Sequence, residues 1–173
     1  MSDQAERLRQ IIAVQKNIPR ARIIAVTSGK GGVGKTNFSV NFAIALERHG
    51  IHTTVIDADL GLANVDVILG LLPKFNLSHV IAGERNIKDI IIPGPGGIDI
   101  VPSGSGLYEL ASLSDYRLEQ VLQQFFQLED ETDVILIDTG AGISRNVLRF
   151  ILSVEEIIII TTSEPTAISD AYS

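Results

Sequence analysis

From Arg22 onward, short runs of consecutive apolar residues alternate with stretches in which apolar residues recur every three or four positions. The runs Arg22–Ser28, Thr53–Asp57, Ile98–Pro102, Asp133–Asp138 and Glu156–Thr162 are rich in β-branched residues and predict five main strands. Between them the spacing predicts a helix over Gly34–His49, closed by Gly50. A short helix follows over Ala63–Leu69, ended by Gly70 and Pro73. Asn76–Ala82 and Asn86–Asp89 read as helical turns, and Pro93–Gly97 as a tight turn. Ser114–Leu128, with Ser114 as cap, and Ser144–Leu152 read as helices, and a last helix begins near Thr166. Strands alternating with helices predict an α/β domain, a parallel β-sheet flanked by helices on both faces. The four isoleucines Ile157–Ile160 predict a strand buried on both faces.

One segment stands outside this alternation. Ala5, Leu8, Ile12 and Gln15 form a stripe with Ile11 beside it, which predicts an extra N-terminal helix over Ser2–Lys16, stopped by Asn17 and Pro19. The chain thus divides into a helix and linker, 1–20, and a single domain, 21–173. The pattern breaks off inside a helix, which predicts a longer parent protein.

Composition narrows the function. With 173 residues, 45% apolar and 20% charged, the chain is long enough for one domain with a substantial core. A net charge of -7 argues against loose electrostatic binding of nucleic acid, which needs a basic face. The absence of cysteine excludes disulfides, thiolate zinc sites and Cys-ligated iron–sulfur clusters in this sequence. The start is charged and has no signal-peptide core, and the longest apolar run is far short of the ~20 residues that span a bilayer. A cytoplasmic location is expected.

The strongest chemistry lies at Gly29-Lys30-Gly31-Gly32-Val33-Gly34-Lys35-Thr36, which satisfies G-x-x-x-x-G-K-[ST] at every position. Glycines let main-chain amides converge on phosphate oxygens, and the following helix aims its positive end at the same anion. Lys35 brings a charge to the β- and γ-phosphates, and the Thr36 hydroxyl suits magnesium. The loop and the adjacent Asn37 are the expected nucleotide contacts. By composition, such a match arises by accident in roughly one chain in 170 of this length. This one also sits between a predicted strand and a predicted helix. Lys30 is an additional cation inside the loop. It is able to reach a phosphate of its own site or of a partner's, the latter in the manner of an arginine finger.

Three carboxylates end strands: Asp57 and Asp59 after the second, Asp138 after the fourth. In open parallel sheets ligands gather at this edge. Asp is also common after strands because it starts turns, but beside a phosphate loop the functional reading prevails. Asp138 has the form of a magnesium-holding aspartate, and Asp57 and Asp59 are expected to orient metal-bound and attacking water. The stretch Thr139–Gly142 (TGAG) is expected to sense the γ-phosphate.

KGGVGKT with its extra Lys30, DADLGLANVDVILGL and VILIDTGAGIS together resemble the MinD/ParA class of deviant Walker ATPases, within the SIMIBI class of P-loop NTPases. Asp57–Leu71, IDTGAGIS and TTSEPTAISDAY resemble most the MinD-like flagellar number regulators of the FlhG (FleN, YlxH) subgroup. The resemblance covers almost the whole chain. It implies an ATP- and Mg²⁺-dependent face-to-face homodimer that hydrolyses ATP slowly. In such a dimer Lys30 contacts nucleotide across the interface, Lys35 and Thr36 hold phosphate and metal, Asp59 positions water and Asp138 is the Walker B residue. Asp57 matches the first aspartate of that motif. The segment Asp3-Gln4-Ala5-Glu6-Arg7-Leu8-Arg9 resembles the DQAxxLR motif of the subgroup, which implies stimulation of a flagellar SRP-type GTPase, FlhF, through Asp3, Gln4, Ala5, Leu8 and Arg9. From its residues alone this segment is a short amphipathic helix. The resemblance further implies contact with flagellar switch (C-ring) proteins, and membrane docking by a C-terminal helix that this sequence does not include. Adenine selectivity also comes from the resemblance. A division-site or partition ATPase of the MinD or ParA kind is the alternative reading.

Overall fold

The computed structural model describes residues 21–59, 65–104, 120, 123–142, 154 and 156–172. The strands are β1 (Arg22–Thr27), β2 (Thr53–Ala58), β3 (Ile92–Pro93), β4 (Asp99–Val101), β5 (Val134–Thr139) and β6 (Glu156–Ile159). They form one sheet in the order β3-β4-β2-β5-β1-β6. All pairings are parallel except that of β3 with β4.

Both faces of the central strands are apolar because both are covered. On one face Ile56, Ala58, Ile135 and Ile137 pack with Leu77, Val80, Ile87, Ile90, Phe125 and Leu128. Those partners come from α3 (Leu77–Ile81), a 3₁₀ turn (Ile87–Ile90) and the segment 123–128. On the other face Ile24, Val55, Val134 and Leu136 pack with Val40, Ala43 and Val65. Those partners belong to α1 (Lys35–Arg48) and α2 (Val65–Leu69). A last helix, α4 (Pro165–Tyr172), follows β6.

Within the described residues the expected elements appear with small shifts of boundary. Asn76 caps α3 by accepting the Ser78 amide at 3.1 Å, and Asn86 donates its amide to Asp89 at 3.1 Å to start the 3₁₀ turn. Two expectations change. The sheet is mixed rather than wholly parallel, because the Pro93–Gly97 turn folds Ile92 and Pro93 back along β4. The Ile157–Ile160 run is not buried on both faces: Ile157 is 46% and Ile159 54% exposed. The reason is position. β6 pairs with β1 at the sheet edge, Ile158 packs on the α1 side, and no described element covers the opposite face. The N-terminal helix, most of Ser114–Leu128, Ser144–Leu152 and residues 60–64 lie outside the described residues.

This order places β2, β5 and β1 side by side. Asp57 is in register with Asp138, and Asp138 with Val26, one residue before β1 ends. The phosphate loop leaves β1 at that same edge.

Candidate nucleotide-binding site

The loop between β1 and α1 is built to expose main-chain amides. Gly32 (φ 76°) and Gly34 (φ 95°) take left-handed conformations that a side chain would resist. Gly34 stands at the N-cap of α1, and no side chain caps this helix. The first turn of α1 carries no acidic residue either. Its free N–H groups and positive dipole end are therefore left for an anion. Lys35, on that first turn, is buried, and Thr36 and Asn37 follow it at the mouth. Gly31, Gly32 and Gly34 are exposed and Val33 is half-buried, so the loop's surface is largely main chain.

Behind the loop stands Asp138. Its carboxylate is fully buried, and Ser39, one turn into α1, donates to Oδ1 at 3.0 Å while also reaching the Lys35 carbonyl at 3.1 Å. The other oxygen, Oδ2, is buried with no hydrogen-bond partner. Burial pushes the Asp138 carboxyl above its ordinary range; the Thr36 and Ser39 hydroxyls and the Lys35 ammonium draw it back, and the nearby Asp59 charge raises it further. Ser39 was not singled out in the sequence. The available signal was a serine on the helix face that also buries Val40 and Ala43.

Asp57 is also fully buried, but its oxygens face main chain. Oδ1 accepts the Asp59 amide and Oδ2 the Val65 amide, each at 3.1 Å. Asp57 thereby ties the end of β2 to the start of α2. Asp59 is half-buried at the mouth of the site. The Thr139–Gly142 stretch closes the other side: the Gly142 amide donates to the Ser28 carbonyl at 3.0 Å, and the Thr139 hydroxyl to the Val26 carbonyl at 3.0 Å.

A divalent metal suits this donor set. Buried Asp138 Oδ2 lacks a partner, the Thr36 hydroxyl lies beside the same carboxylate, and both are hard oxygen donors. Among the described residues no group of three His, Cys, Asp or Glu side chains forms a metal cage. One carboxylate and one hydroxyl match magnesium, which takes few protein ligands and completes its shell with phosphate and water.

Lys30 points elsewhere. Its Nζ donates to Glu164 Oε2 at 2.8 Å, with the two side chains 44% and 64% exposed. Their hydrogen bond, and then their mutual attraction, raises the Lys30 pKa and lowers that of Glu164. Gly29 is required for a different reason from the others: a Cβ there would run into the main chain of Asp170 and Ala171 in α4. The partner-binding candidates Asp3, Gln4, Ala5, Leu8 and Arg9 lie outside the described residues.

A sequence profile of the AAA domain matches residues 21–171, nearly all of the strand–helix alternation. The chain belongs to the AAA domain family. Its relatives are MinD-like. Over 151 residues it is 48% identical to the "Antiactivator FleN" of Pseudomonas aeruginosa, covering 87% of this chain and 54% of that protein. Over 181 residues it is 38% identical to the "Flagellum site-determining protein YlxH" of Helicobacter pylori, covering 99% of this chain and 60% of that protein. The chain thus spans little more than half the length of either. Among solved structures, the septum site-determining protein MinD of Pyrococcus horikoshii, complexed with Mg-ADP, superposes with a TM-score of 0.76 at 31% identity, covering 87% of this chain and 62% of that one. This AAA domain therefore has the MinD-type P-loop fold that the sequence predicts. Among its described residues no helix is long and apolar enough to cross a membrane.

Proposed function

We propose that this chain is the nucleotide-binding part of a Mg²⁺-dependent ATPase that works as a dimerisation switch and regulates flagellar number and placement. The observation that carries the nucleotide reading is the uncapped N-terminus of α1, set against the unpartnered Oδ2 of Asp138. One feature is suited to a polyphosphate and the other to its metal. The names of the FleN and YlxH relatives support the flagellar role.

In this reading the main-chain amides of 29–36, Asn37 and Lys35 hold the β- and γ-phosphates. Thr36 and Asp138 hold magnesium, with Asp57 bracing the strand end behind them. Bound magnesium supplies charge neutralisation on the phosphate oxygens. Asp59, half-buried at the mouth, accepts a hydrogen bond from the attacking water and fixes its direction. Lys30 of one copy reaches the nucleotide of the other, so the site is complete only in the dimer and turnover is slow. Asp3, Gln4, Ala5, Leu8 and Arg9 belong to a segment that stimulates FlhF. A cytoplasmic location, peripheral to the inner face of the cell membrane in the intact protein, completes the picture.

Light scattering at saturating ATP and Mg²⁺ tests the switch. Wild type should form a dimer and Lys30→Ala should remain monomeric; a nucleotide-dependent dimer of Lys30→Ala removes the role given to Lys30. Deleting residues 1–16 should abolish stimulation of FlhF and leave ATP binding intact. The likeness to MinD structures favours a second reading, a division-site or partition ATPase. Failure of the intact chain to stimulate FlhF would select it.

A further inference from the structure

We propose that Glu164 is a positioning residue that stores Lys30 on its own subunit and thereby sets how much phosphate charge is needed to bring two copies together. This rests on the proposed role of Lys30 across the dimer.

Lys30 is bound in cis to Glu164 at 2.8 Å, across 134 residues of sequence. The arrangement is anchored. Glu164 immediately precedes Pro165, the first residue of α4, and the far end of that helix lies so close to Gly29 that no side chain fits at position 29. Helix and loop are therefore seated together, and the carboxylate is presented to the lysine that follows Gly29. Asp170, on the same helix, adds a second negative charge that acts on Lys30. Proximity of this kind is not a chance meeting of two mobile surface chains.

The consequence is competition. An ammonium that is hydrogen-bonded to Glu164 must leave it to engage a phosphate on another copy. A triphosphate carries one more phosphate group than a diphosphate, and with it more negative charge in all, so it displaces the carboxylate more readily. Both side chains are solvated, and exposed pairs are weak and screened by salt. The pair is consequently a bias rather than a lock. It moves the monomer–dimer midpoint by a few-fold.

The test compares full-chain wild type, Glu164→Gln and Lys30→Ala. The protein concentration at half-dimerisation is read by sedimentation, with saturating Mg·ATP or Mg·ADP, at low and high salt. Glu164→Gln should lower the Mg·ATP midpoint about two- to five-fold at low salt, the range of an exposed pair. With Mg·ADP it should allow dimer at concentrations where wild type is monomeric. Both differences should shrink at high salt. Glu164→Asp, which keeps the charge, should stay closer to wild type than Glu164→Gln does. An unchanged or raised midpoint in Glu164→Gln overturns the proposal, as does a shift that high salt leaves intact, which marks a structural effect. If wild type forms no dimer with Mg·ATP, or Lys30→Ala dimerises like wild type, the switch reading itself falls and this proposal with it. A normal wild type and a defective Lys30→Ala beside a silent Glu164→Gln overturn only the storage role.

Discussion

In the role proposed for it, Asp138 faces two demands that oppose each other. Holding a metal requires a charged carboxylate, whereas its place in the sheet removes water from around it. The protein meets them with the Ser39 hydroxyl, the Thr36 hydroxyl and the Lys35 charge, and still leaves the carboxyl above its usual range. The folded protein therefore keeps this proton to a higher pH than the unfolded chain does. Stability linked to Asp138 is greatest with the proton on, below the ordinary carboxylate pKa, and falls as pH rises through the interval up to the raised value. Asp138→Asn should accordingly raise the melting temperature of nucleotide-free protein at neutral pH. The gain should fade as pH drops into the carboxylate range, and magnesium-dependent turnover should be lost. Calorimetric scans from pH 4 to 8 check the sign; a lower melting temperature at pH 7 would contradict it. Removing the supporting hydroxyl is a separate trial. Ser39→Ala leaves Oδ1 without its donor inside the core, which should cost about 1–3 kcal/mol of stability in urea unfolding.

At the scale of elements, the loop and α4 form a unit that periodicity alone does not reveal. A glycine in a phosphate loop is readily explained by the need for close phosphate approach. Gly29 has a second explanation, since α4 occupies the space a side chain would need. Gly29→Ala should push α4 away and take Glu164 with it. Overpacking of this kind costs about 1–3 kcal/mol. Chemical denaturation measures that loss, and a neutral result would show that the helix sits loosely. The same scale explains the expectation about β6 that failed. Four isoleucines signal a buried strand, yet burial depends on neighbours, and among the described strands β6 pairs with β1 alone. Its Ile157 and Ile159 face outward among the described residues. The extra strand β3 has a similar origin: a proline–glycine turn was legible, but not the antiparallel pairing it permits.

For the whole molecule, the proposed switch separates assembly from turnover. Asp59 is half-buried and is not one of the loop residues proposed to grip phosphate, so its loss should spare binding. Asp59→Ala should form the Mg·ATP dimer and then retain it, with phosphate release reduced by at least about a hundred-fold, the lower end for the loss of a group that positions or activates the attacking water. Phosphate release at the wild-type rate would withdraw Asp59 from that role.

The phosphate loop was legible because it is contiguous: eight neighbouring residues carry the glycines, the lysines and the hydroxyl that the chemistry needs. The strand-end aspartates were legible because a parallel sheet places every strand's carboxyl end on one edge. Alternating runs of apolar residues were sufficient for the α/β class. What folding alone decided are the pairings between distant residues. Ser39 meets Asp138 across 99 positions, and Lys30 meets Glu164 across 134. The division of labour between the two buried aspartates is of the same kind. Asp57 spends both oxygens on main-chain amides while Asp138 keeps one without a partner. Local order can be read from spacing because it follows from bonds along the chain. Which oxygen stays free, and which carboxylate a lysine finds, depends on the order in which strands lie side by side, and that order is set by packing.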